Sequence, residues 1–137
     1  MDETEKPLSM VLFSGTDDKL NAAAVLTVGA AVMGRPVNIF LQYYALDAFR
    51  ASRITGDHNL SPEATPEQAP AVRAHPGNHW SELLRQAKEV GEVDIQACAL
   101  SMDMFHLQKA ELDPLVDGIE GVAAFMTSAA EGQVVFI

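Results

Sequence analysis

The stretch from Leu8 to Leu41 constrains the fold more than any other part of the chain. "LSMVLFSG" is a short apolar, β-rich run that ends in small residues, and "PVNIFL" is a second such run beginning at Pro36. Between them lies "TDDKLNAAAVLTVGAAVMG", with Thr16 or Asp17 as N-cap, acids in the first turn, many alanines and Gly34 as a stop. This predicts a helix of about four turns. Strand, helix and strand with a crossover of that length imply a parallel pair joined right-handedly. The class is therefore α/β.

The remainder repeats the alternation after one interruption. "ALDAFRAS" reads as helix, but from Arg53 to Asn78 the pattern is lost among Pro62, Pro66, Pro70 and Pro76, which predicts a long proline-rich loop. A loop of that length in a compact domain is either functional or mobile. "HWSELLRQAKEVG" resumes helix, with Ser81 or Asn78 near its start and Gly91 as its stop; "VDIQACAL" is a third strand. A short helix from Met102 to Ala110 follows, then a connection with a short strand around Leu115 and Val116. "VAAFMTSAAE" is helical and "QVVFI" is the last strand. The expectation is one domain over residues 1–137: a sandwich with a mostly parallel sheet of about five strands and helices on both faces.

At 137 residues the chain is long enough to bury a core without disulfides, and its single cysteine can form none internally. Nineteen acidic against nine basic residues give a formal charge of −10, which argues against nucleic acid or an anionic membrane surface as partner. The most apolar segment, Ala22 to Met33, is broken by Thr27 and Gly29 and reads as a core helix, so no membrane span is expected. "MDETEKPLS" has neither the basic start nor the apolar segment of a secretory signal, which points to the cytoplasm.

Cys98 falls at the carboxyl end of the third strand, before a helix, where open α/β sheets bind ligands. A helix start led by Ser101 and Asp103 can stabilise a thiolate, although a close Asp103 carboxylate would oppose it. Read alone, the residues point to a buried inert cysteine, because free cysteine is among the most buried residue types. With no second cysteine, a CxxC cycle is excluded, and intermolecular sulfur handling or redox sensing remains. His106, His79, His75 and His58 are the candidate bases for Cys–His hydrolysis, but no spacing selects one. "HPGNH" places Pro and Gly between His75 and His79, and "SGTDDK" lacks the P-loop pattern; no metal or cofactor is expected. Tyr43 and Tyr44 follow the second strand and belong to the same sheet edge as Cys98.

The segment from Glu82 to Ile137, with Cys98, Ala99, Leu100, Ser101, Met102 and Asp103 in sequence, resembles the C-terminal half of the DsrE/DsrF/DsrH-like family. "VLFSGTDDKL" and "VNIFLQYYALDAFR" resemble its first and second strands with their following residues. Met104-Phe105 stands where the family often has Met-Gly. The resemblance implies a trimeric or hexameric sulfur carrier that holds sulfane sulfur as a persulfide on Cys98 and passes it to an acceptor thiol such as a TusA-like carrier. It implies Cys98, Ser101 and Asp103 as the reacting group, with Ser14, Gly15, Tyr43, Tyr44 and His106 lining the pocket. An oligomeric ligand-binding scaffold with a structural cysteine and a thiol redox sensor are the alternatives.

Overall fold

The computed structural model describes residues 6–74 and 77–137; the acidic N-terminal tail and His75 lie outside the described residues. The strands are β1 (Leu8–Leu12), β2 (Val37–Leu41), β3 (Val93–Cys98), β4 (Gly118–Glu120) and β5 (Gln133–Phe136). The helices are α1 (Asp17–Val32), α2 (Tyr43–Ala48), α3 (Gln68–Ala74), α4 (Trp80–Val90), α5 (Ala99–Met104) and α6 (Val122–Ala129), with a short 3-10 turn at Lys109–Glu111. The sheet has five strands in the order β4-β3-β2-β1-β5, and each neighbouring pair is parallel. The expected α/β sandwich is the observed one.

Because side chains alternate along a strand, the sheet sorts them by parity onto two faces. Leu8, Met10 and Leu12 of β1, Val37, Ile39 and Leu41 of β2, and Ile95 and Ala97 of β3 form the larger core, against α1 and α4. Small residues of α1, among them Ala23, Ala24 and Thr27, let it lie close; Thr27 satisfies its buried hydroxyl by donating to the Ala23 carbonyl at 2.8 Å. The opposite parity gives a second, smaller cluster of Phe40, Cys98, Phe125 and Ala129, with Val11 packed against it, under α6. Phe40 and Phe125 stack there with ring centroids 4.8 Å apart.

Three local expectations differ from the fold. The helix after β3 begins at Ala99 and ends at Met104, where the chain reverses through His106 at φ 53°. The strand expected at Leu115 and Val116 lies three residues later: Asp113 Oδ1 accepts from the Leu115 amide at 2.9 Å and the Asp113 carbonyl from Val116 at 3.0 Å, which holds both residues in a buried turn. Asp113 is itself fixed by Arg85, whose two Nη atoms each donate at 3.1 Å. Within the proline-rich stretch the chain forms α3, with Pro70 in its first turn, where the missing amide costs no helical hydrogen bond. Among the described residues no helix is long and apolar enough to cross a membrane.

Candidate functional site

Cys98 ends β3 and is the N-cap residue of α5, so its thiol stands at the carboxyl edge of the sheet as expected. Its parity turns the side chain toward α6, and it is only 5% exposed. The thiol therefore sits beneath an apolar cover rather than at the mouth of an open cleft.

Around it the ends of the first three strands are tied together. The Gln42 amide donates to the Leu12 carbonyl at 2.9 Å and the Ala45 amide to the Phe13 carbonyl at 3.1 Å, which joins the β1 and β2 ends. Gly15 is needed at that junction: a Cβ there would stand 2.4 Å from the Tyr44 carbonyl oxygen. Tyr43 adopts φ 43°, a left-handed conformation that is uncommon outside glycine. Its amide donates to Ser101 Oγ at 3.0 Å, which holds the strained turn and links β2 to α5. Ser101 is fully buried. Ser14 Oγ lies 3.2 Å from Thr16 Oγ1 and accepts from the Thr16 amide at 3.3 Å.

Of the residues expected to accompany Cys98, the structure thus connects Gly15, Tyr43 and Ser101 at the strand ends. Tyr44 and the side chains of Asp103 and His106 are exposed. Phe13 gathers Tyr43, Tyr44 and Phe136 around itself, with centroid separations of 4.8, 5.6 and 5.8 Å. Leu100, Tyr44 and Phe136 are each at least 60% exposed, so this edge presents an apolar rim to solvent. Among the described residues no three His, Cys, Asp or Glu side chains are grouped closely enough to hold a metal ion.

Sequence reasoning missed Glu120. In the β3–β4 ladder Cys98 pairs with Glu120, and Gln96 with Gly118. Register partners on adjacent parallel strands share a face, so Glu120 flanks Cys98 on the α6 side at strand spacing, about 4.8 Å between backbones. Burial pushes the Glu120 carboxyl above its ordinary range, and the Asp94 carboxylate adds to the rise. Nothing in the chain's local pattern marks this pair, because it depends on register.

A second region occupies the other side of the sheet, at the start of α1. Asp17 accepts from Trp80 Nε1 at 2.9 Å, from the His58 amide at 2.8 Å and from Arg73 Nη1 at 2.6 Å. Asp18 accepts from the Ser61 amide at 3.1 Å and from Ser61 Oγ at 3.0 Å. Burial alone would raise both carboxyls, but these hydrogen bonds outweigh it and hold them below the ordinary range. His79 is the N-cap of α4, and burial lowers its pKa against the pull of the Asp17 carboxylate. The acids of the first helical turn thus clamp the proline-rich stretch, and a cleft of about 620 Å³ lined by Asp17, Asp57, Leu60, Val72 and Arg73 opens beside them.

The chain is thus a small α/β protein whose five-stranded parallel sheet carries a cysteine at a strand end. The family model for the DsrE/DsrF/DrsH-like family matches the chain over residues 4–74 and 69–137. The chain belongs to this family. The uncharacterized protein YrkE of Bacillus subtilis (strain 168) is 29% identical over 158 residues, an alignment that covers 98% of each chain. A solved protein of unknown function, MTH1491 from Methanobacterium thermoautotrophicum, matches with a TM-score of 0.62 at 12% identity, over 97% of this chain and 100% of that one. At that identity the likeness is one of fold.

Proposed function

We propose that this protein carries sulfane sulfur as a persulfide on Cys98 and passes it to an acceptor thiol. The observation that carries the reading is the position of the chain's single cysteine, at the carboxyl end of β3 in a DsrE-like fold, with the neighbouring strand ends braced through Ser101 and Tyr43. Cys98 thiolate would attack a sulfane-sulfur donor and later yield its outer sulfur to the acceptor. Ser101 Oγ, which accepts from Tyr43, keeps its own proton to donate toward the sulfur; Asp103 stands at the rim. Burial shields the persulfide from scrambling with free thiols, and loading requires the apolar cover to part. The exposed rim of Tyr44, Leu100 and Phe136 supports a docking surface for a TusA-like carrier or for further copies in a homotrimer or homohexamer, in the cytoplasm.

Intact mass after incubation with polysulfide tests the reading. Wild type should gain one sulfur atom, removable by dithiothreitol, and Cys98→Ala should gain none. No gain in wild type would overturn it. The packing of Cys98 with Phe40, Phe125 and Ala129 favours a second reading, a scaffold with a structural cysteine whose ligand site is the cleft beside Asp17. A Cys98 that resists both polysulfide and alkylating reagents in the folded protein would select it.

A further inference from the structure

We infer that Glu120 is the group that takes the Cys98 proton during sulfur loading. This rests on the persulfide reading of Cys98 and adds to it a residue outside the Cys-to-Asp motif. The geometry is that of the sheet: Cys98 and Glu120 are register partners at the ends of two parallel strands, on the face covered by α6. Glu120 is half-buried, and the Gly121 that follows it starts α6, so the carboxylate and the helix covering the thiol are adjacent in the chain.

Among the described residues of the elements around the thiol, Glu120 is the carboxylate that strand register sets next to Cys98. On this face β3 contributes Asp94 and Gln96; Gln96 Nε2 donates to Asp94 Oδ1 at 2.9 Å, further back along the strand. β2 contributes Asn38 and Phe40, and α6, with the sequence VAAFMTSA, has no titratable side chain. Asp103 on α5 is exposed. No cation of these elements faces the pair. Burial and the Asp94 carboxylate raise the Glu120 pKa, which makes its carboxylate a stronger base than an ordinary one.

The step balances without an oxidant or reductant. Cys98 Sγ attacks the outer sulfur of a donor persulfide R–S–SH as its proton passes to the Glu120 carboxylate. The new Sγ–S bond forms while the donor S–S bond breaks, its electron pair leaving with R–S, and Glu120 returns the proton to that thiolate. The sum is Cys98–SH plus R–S–SH giving Cys98–S–SH plus R–SH.

The test is single-turnover loading from glutathione persulfide, followed by intact mass between pH 5 and 8, on wild type, Glu120→Gln and Glu120→Asp, with each rate expressed per neutral donor because the donor's own S–H titrates in this range. Wild type should show a region in which the rate is independent of pH. Glu120→Gln should load about 10²-fold more slowly at pH 7 and lose that flat region, its rate rising about tenfold per pH unit. Glu120→Asp should keep the flat region. A cover that had closed over the thiol would instead slow Glu120→Gln equally at every pH and leave the flat region in place, which separates lost access from lost proton transfer. Loading of Glu120→Gln at the wild-type rate with the wild-type profile would overturn the assignment and leave the persulfide reading standing. Failure of all three proteins to load would overturn both.

Discussion

The two sides of the sheet hold their accessory parts by different forces. On the α1–α4 side, the proline-rich stretch is held by directed polar contacts: Asp17 and Asp18 together accept from Trp80, His58, Arg73 and Ser61. On the α6 side, a helix of eight residues packs over Cys98 through apolar side chains, the stacked rings of Phe40 and Phe125 among them. Polar clamps fix a geometry and depend on charge state, whereas an apolar cover fixes a volume and can slide or lift without leaving unpaired donors. The persulfide proposed for Cys98, which would have to be shielded and then reached, suits the second arrangement.

The largest test of this contrast is Phe125→Ala. It removes a fully buried ring and should cost about 3–5 kcal/mol by urea denaturation. It should also speed alkylation of Cys98 in the folded protein, and unchanged alkylation would show that α6 is not the cover. Asp17→Ala should come next, at about 2–3 kcal/mol, since it strands the buried Trp80 N–H and removes two further bonds. Limited proteolysis should then cut between Arg53 and Ala74 while sulfur loading stays at the wild-type level; a loss of loading would couple the two sides. Ser61→Ala, which deletes one hydroxyl bond to Asp18, should cost about 1 kcal/mol in the same denaturation assay.

Acid should loosen only the polar side, in two stages. His79 has a lowered folded pKa, so its contribution is whole above the unfolded value of 6.5 and is lost as pH falls from there through the folded value. Asp17 and Asp18 are also lowered, so theirs is whole above 3.8 and is lost as pH falls below it. Thermal melts against pH should show both slopes, and His79→Gln should abolish the first. Glu120 is raised and has the opposite sign: its charging above pH 4.5 weakens the α6 side as pH rises through its folded value.

Much of the fold could be read from local pattern. The limits of α1 followed from its capping acids and Gly34, and the parallel sheet from strand–helix alternation. The placement of Cys98 at a strand end followed from "VDIQACAL" running into a helix signal. The β4 position could not be read, because the turn that displaces it depends on Arg85 reaching Asp113 from 28 residues away. The clamp on the proline-rich stretch was hidden for the same reason: Asp17 and Trp80 are 63 residues apart. The acids of the first turn looked like ordinary helix-start residues, and their second task appears only where the chain returns.

The sequence by itself thus determined the periodicities, and with them the α/β class, the elements and the edge at which Cys98 stands. Alternation within each strand sets Phe40 opposite to Ile39 and Cys98 opposite to Ala97, but it does not say that Phe40 and Cys98 share a face, nor which helix covers it. The tertiary structure decided this, by routing the chain from β4 back across the sheet to β5 so that α6 lies over the thiol. It also decided the partner of the thiol, since pairing β3 with β4 in one register places Glu120 beside Cys98. A shift of one residue would turn that carboxylate to the other face, and local sequence carries no information about such a shift.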